Sequence, residues 1–142
     1  VLKSQGKTLG EKLNEIYQGI GYFYEKTLAL EFPGADGFDK MAQTMASARS
    51  GQLDFSQTAV LDYLSLIKTD AENNATSSID CIEPGDVVVF EFEHDHRKRI
   101  TVRPSGTEPK LKIYIQWFAG NDDNFEDKLE DILNNFKERI LN

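Results

Sequence analysis

The chain has 142 residues, with 16 Lys and Arg against 24 Asp and Glu, and a net charge of −8 at pH 7. That length suits one hydrophobic core burying about two-thirds of the unfolded chain's surface. No apolar run approaches the roughly 20 residues that span a bilayer, no signal-peptide pattern occurs, and the lone Cys81 excludes an internal disulfide and suits a cytoplasmic setting.

The first predicted element is a helix opened by Thr8, with Glu11 three residues on as a capping box and Leu9, Leu13, Ile16 and Ile20 along one side. Gly19 and Gly21 close it. From Tyr22 the period changes to two, so Tyr22, Tyr24, Leu28, Leu30 and Phe32 alternate with Phe23, Glu25, Thr27, Ala29 and Glu31 as in a half-buried strand. Pro33-Gly34 stops it, and Asp36 caps a second helix with Phe38, Met41, Ala42, Met45 and Arg49 on one side, ending at Ser50-Gly51. A strand over Ala59 to Ile67 follows. The polar stretch Lys68 to Ser78 reads as a flexible loop, and its Asn74-Ala75-Thr76 sequon as a plain polar turn.

Val87 to Glu93 and Lys98 to Arg103 read as a hairpin around His94-Asp95-His96, and Leu111 to Phe118 as a further strand. In that last strand Leu111, Ile113, Ile115 and Trp117 share one face, and Lys112, Tyr114 and Gln116 the other. The final helix carries Phe125, Leu129, Ile132, Leu133, Phe136 and Ile140 at helical spacing, with Asp122-Asp123 at its start and Lys137 and Arg139 near its end, as the helix dipole favours. The order strand, helix, four strands, helix predicts an α+β domain: a mostly antiparallel sheet with two helices packed on one face.

Between the last two strands stands Arg103-Pro104-Ser105-Gly106-Thr107-Glu108-Pro109-Lys110. Ser105 and Thr107 offer hydroxyls. Gly106 permits the positive φ that turns successive N–H groups toward one point, Arg103 adds a planar fork for two phosphate oxygens, and the prolines stiffen the loop. Residues 97 to 112 hold Arg97, Lys98, Arg99, Arg103, Lys110 and Lys112 against Glu108 alone. That local +5 leaves −13 for the remainder of the −8 chain, so the island is a basic exception in an acidic molecule.

The run Arg103 to Lys112, R-P-S-G-T-E-P-K-L-K, resembles the phosphate-binding loop in the C-terminal domain of the α-D-phosphohexomutases, the phosphoglucomutase and phosphomannomutase family. The resemblance implies that Arg103, Ser105, Gly106 and Thr107, with Lys112 beside them, hold the substrate phosphate remote from the reacting one. It also implies that residues 1–21 are a remnant helix and hinge of the preceding domain, and 22–142 the C-terminal phosphate-binding domain. The family's serine loop, Asp-rich metal loop and sugar-reading loop are missing here. The chain, which opens on Val1, is therefore expected to be an excised piece, inactive alone, with no catalytic residue, metal ligand or cofactor of its own. For the full-length enzyme the resemblance implies a phosphoserine, Mg²⁺, a hexose bisphosphate, a hexose phosphate substrate moved between C1 and C6 forms, and the preceding domains as partners.

Two other constellations are expected to carry nothing. His94 and His96 with Asp95 have no evident third metal ligand, and Arg97 to Arg99 repel a cation beside them. Tyr114, Trp117 and Phe118 among basic residues suggest base stacking, but alternation puts Trp117 opposite Tyr114, and the net charge repels a nucleic acid. The alternative kept open is a non-enzymatic module binding anions or nucleic acid through the basic island.

Overall fold

A computed structural model of the chain describes residues 6–50, 56–81, 83–120 and 124–141. Helix α1 (Leu9–Ile20) leads into strand β1 (Tyr22–Glu31), then α2 (Gly37–Arg49), β2 (Gln57–Asp62), β3 (Ile67–Asp70), β4 (Thr76–Ser78), β5 (Val88–Phe92), β6 (Asp95–Pro104), β7 (Lys110–Gly120) and α3 (Phe125–Leu141). The strands form one seven-stranded sheet in the order β1-β7-β6-β5-β2-β3-β4, with every adjacent pair antiparallel. The α+β class and antiparallel sheet are as expected.

The core lies between one face of the sheet and α2 and α3. Leu111, Ile113, Ile115 and Trp117 of β7 all point into it, as their alternation requires, beside Ile100 and Val102 of β6 and Val88, Phe90 and Phe92 of β5. Phe136 of α3 meets Phe90 edge-on at 5.9 Å between centroids, and Trp117 packs against Phe92 at 5.4 Å. Each such aromatic contributes roughly 1.5–3 kcal/mol by leaving water, which is why these rings set the spacing of helix and sheet. Tyr22, Tyr24, Leu28 and Leu30 line the inner side of β1, but Lys26 interrupts that row. It sits exposed in a cleft of about 330 Å³ between β1 and α3, with Glu126, Glu130 and Lys137.

Three expectations change. The strand over Ala59 to Ile67 is two strands, because the chain reverses at Tyr63 to Leu66 and β2 pairs with β3 through Val60↔Thr69. Asp62 holds that reversal together: its carboxylate accepts from the Leu64 N–H at 3.0 Å and the Ser65 hydroxyl at 2.7 Å, and pairs with Arg49. Lys68 to Ser78, expected to be flexible, is a second hairpin in which Asp70 Oδ1 accepts from the N–H groups of Glu72 and Asn73. Helix α2 buries Gly37, Met41, Thr44, Met45 and Ala48, whereas Phe38 is 53% exposed and Ala42 faces outward.

The helix termini follow the sequence unevenly. The Thr8–Glu11 capping box is present in both directions, and Gly21 ends α1 with φ +90°, while Gly19 lies inside the helix. Asp36 stands at the start of α2 without a capping bond, its carboxylate instead pairing with Lys40 one turn on. Gly51, Asp122, Asp123 and the Ile140 side chain lie outside the described residues. Among the described residues no helix is long and apolar enough to cross a membrane.

Candidate functional site

The β6–β7 connection places Arg103, Ser105, Gly106, Thr107 and Lys112 together at one end of the sheet. Arg103 and Lys112 are directly opposed across the two strands, so both side chains stand on the face that α2 and α3 leave uncovered. Ser105 N–H donates to the Lys110 carbonyl at 2.9 Å, closing the neck of the loop, and Lys110 N–H donates to the Glu108 carbonyl at 2.8 Å. Thr107 N–H lies 3.5 Å from Ser105 Oγ, a weak contact that an incoming oxygen can replace.

Gly106 departs from the expectation. Its φ is outside the left-handed region, so the loop does not depend on glycine for backbone conformation, and an added Cβ would meet nothing within 4 Å. What Gly106 supplies is open space beside Ser105 and Thr107, where another molecule can come close to the backbone.

Ion pairing divides the basic island. Arg97 grips Asp95 with its fork, Lys98 pairs with Glu93, and Lys110 pairs with Glu108, while Arg99 donates to Gln116 Oε1 at 2.7 Å. Among the described residues neither Arg103 nor Lys112 has an ion-pair partner. The hydrogen bond from Lys110, reinforced by its charge and that of Lys112, holds the Glu108 carboxyl below its ordinary range, so the loop's one acid remains ionised and engaged. Arg103 and Lys112, the island's cations with neither an ion pair nor a side-chain hydrogen bond among the described residues, are the two that flank the hydroxyl-bearing loop.

His94 occupies the two-residue turn with Glu93, both at positive φ, so the hairpin is tighter than expected and β6 already starts at Asp95. His94 Nε2 lies 3.1 Å from Glu72 Oε1, away from His96 on the strand. No group of three or more His, Cys, Asp or Glu among the described residues converges as metal ligands would. Trp117 is 1% exposed and cannot stack on a base, and Phe118 lies beneath Arg97 at 4.0 Å.

One participant escaped the sequence reading. The Pro109 carbonyl accepts from Phe32 N–H at 2.8 Å, so the loop's return limb is tied to the end of β1. Only the Pro33-Gly34 stop hinted that the chain turns there.

An antiparallel sheet backed by two helices, with a hydroxyl-bearing loop between its two best-buried long strands, defines an α+β domain whose loop is its distinguishing part. Residues 68–135 match the family described as "Phosphoglucomutase/phosphomannomutase, C-terminal domain", a span that takes in β3 to β7, the loop and most of α3. The chain is 34% identical over 141 residues to a phosphoglucomutase of Staphylococcus haemolyticus, covering 94% of this chain and 24% of that protein. It is 30% identical over 138 residues to a phosphoglucomutase of Staphylococcus epidermidis, with the same coverage. A looser likeness, with TM-score 0.45 and 21% identity, relates 88% of the chain to 22% of parafusin, a phosphoglucomutase from Paramecium. Residues 68–135 carry the C-terminal domain of the phosphoglucomutase/phosphomannomutase family, and the chain spans about a quarter of the length of the curated relatives it matches.

Proposed function

We propose that this domain holds the non-reacting phosphate of a hexose phosphate while the rest of the enzyme moves a phosphoryl group between C1 and C6. The observation that carries the reading is the pair Arg103 and Lys112, opposed across β6 and β7 beside Ser105, Gly106 and Thr107 and without acidic partners among the described residues. Arg103 offers a fork matched to two phosphate oxygens, Lys112 a point charge, and Ser105 and Thr107 hydroxyl and backbone donors. The role is uniform binding: it fixes one end of the sugar so that the other meets its reaction partner in a productive geometry. A substrate that turns over must present either end to the same loop, and a loop that contacts phosphate alone accepts both.

The phosphoserine, the Mg²⁺ and the hexose bisphosphate of such a mutase belong to other parts of a full-length, cytoplasmic enzyme. No step through the metal is assigned to this chain. Residues 1–21 are read as the helix and hinge of the preceding domain, a reading supported by α1, which buries none of its described residues and leaves Leu9 78% and Ile20 67% exposed. Glucose and mannose both remain within this reading.

Amide NMR titration of the chain with glucose 6-phosphate tests it. Shifts centred on Ser105 to Thr107, with a dissociation constant on the order of millimolar, about −4 kcal/mol, are expected for an anion gripped on one side only. Shifts centred on the hairpin from His94 to Arg99 would move the site elsewhere, and measurable mutase turnover by the chain alone would overturn the division of labour.

A further inference from the structure

We propose that Gly37, the first residue of α2, is a positioning residue for the Ser105 to Thr107 loop, acting through Pro109. The inference rests on the phosphate-binding reading of that loop and extends its machinery to a part of the chain distant in sequence.

The return limb of the loop is seated against two other segments. Phe32 N–H donates to the Pro109 carbonyl at 2.8 Å, and the Phe32 ring is buried in the core. Gly37 N–H donates to the Gly34 carbonyl at 3.2 Å, so α2 begins immediately after the tight turn that leaves β1. A Cβ on Gly37 would stand 2.1 Å from the Phe32 carbonyl oxygen and 3.0 Å from Pro109 Cβ. Gly37 itself is buried, and its φ lies outside the left-handed region, so glycine is required here by space and not by conformation. The space it leaves is occupied by the carbonyl of Phe32 and the ring of Pro109, the two residues joined by the limb's hydrogen bond.

Any side chain at position 37 forces one of three segments to move. Helix α2 is held by Met41, Met45 and Ala48 in the core, and Phe32 is held by its ring, whereas the loop limb faces solvent on its far side. The 2.1 Å contact is with the Phe32 carbonyl, so the Phe32 backbone must turn about its anchored ring, and it carries with it the Pro109 limb that is bonded to its N–H and is itself crowded at 3.0 Å. Pro109 is separated from Thr107 only by Glu108, and donors that grip an anion must hold position to within about 0.5 Å. Gly37 therefore sets where the loop's donors stand, without touching the anion.

The test is amide NMR of the 142-residue chain, with inorganic phosphate as the probe and the thermal unfolding midpoint as the control for global structure. Gly37→Ala is expected to shift the Ser105, Gly106 and Thr107 amides before phosphate is added and to weaken phosphate binding roughly tenfold. The amides of Arg97 to Arg99 should stay in place. A folded Gly37→Ala with wild-type loop shifts and affinity overturns the proposal. Should that variant not fold, Pro109→Ala decides: it removes the ring from Gly37 while keeping the carbonyl for Phe32, and loop shifts and affinity like wild type would again overturn it. A wild-type chain whose loop ignores phosphate refutes the phosphate reading separately, and the ligand-free loop shifts of the variants then decide the positioning role.

Discussion

Arg103 differs from the other arginines of the island in that its guanidinium has no partner among the described residues, and the difference can be measured. Arg103→Lys keeps the charge but loses the fork, so it is expected to weaken phosphate binding almost as much as Arg103→Ala, by about 1–2 kcal/mol in calorimetric titration. Equal binding by Arg103→Lys and wild type would assign Arg103 the role of a plain charge. Arg97 shows the opposite economy: its hydrogen bonds hold the Asp95 carboxyl down at about 2, against an ordinary 3.8. A carboxyl lowered in the fold contributes stability that is present above its unfolded value and lost as pH falls through the folded one. The hairpin is thus expected to loosen between about pH 4 and pH 2. In Asp95→Asn this acid-induced part of the thermal unfolding curve should be flatter than in wild type.

At the scale of elements, α1 and β7 are the extremes. Strand β7 lies between β1 and β6 with Leu111, Ile115 and Trp117 essentially without solvent contact, while α1 buries nothing among its described residues. Hydrogen exchange is expected to be orders of magnitude faster in α1 than in Leu111 to Trp117. Equal protection would join α1 to the core and remove the proposed boundary near Gly21. The elements that could be read from residues alone were those with one dominant signal: the Thr8–Glu11 box, the strict alternation of β7, and the apolar row of α3. The β2–β3 hairpin could not be read, because its turn, Tyr63 to Leu66, holds no Gly, Asn or Pro, and Leu66 takes a φ of +58° that a leucine seldom adopts. On α2, Met41 and Met45 are buried as the spacing predicts, but the buried side is turned toward Gly37, Thr44 and Ala48, and the burial of Gly37 goes with a close approach to Pro109 that no local pattern records. The residues of the proposed site stand together as a string in the sequence, whereas the ion pairs of Glu93, Asp95 and Glu108 with Lys98, Arg97 and Lys110 arise through geometry that no string records.

For the molecule as a whole, the pairing of Arg97, Lys98 and Lys110 leaves Arg99, Arg103 and Lys112 as the island's cations without an ion-pair partner among the described residues, in a chain of net charge −8. Phosphate binding should therefore weaken only modestly between 50 and 200 mM salt, by well under the roughly 10³-fold or greater loss of a site that displaces many counterions from a nucleic acid. Calorimetry at the two salt concentrations checks this, and a steep loss would favour a polyanion as ligand. One feature of the sheet bears on how the molecule meets its own copies. Strand β1 is an outermost strand of ten residues, and among the described residues no strand pairs with its far edge, whose N–H and C=O groups are open to any other strand. Lys26 stands in the middle of it at an inward position where the alternation calls for an apolar residue. A second strand laid along that edge would have to strip water from the ammonium, so a single misplaced-looking lysine guards the sheet against growing by edge-to-edge aggregation.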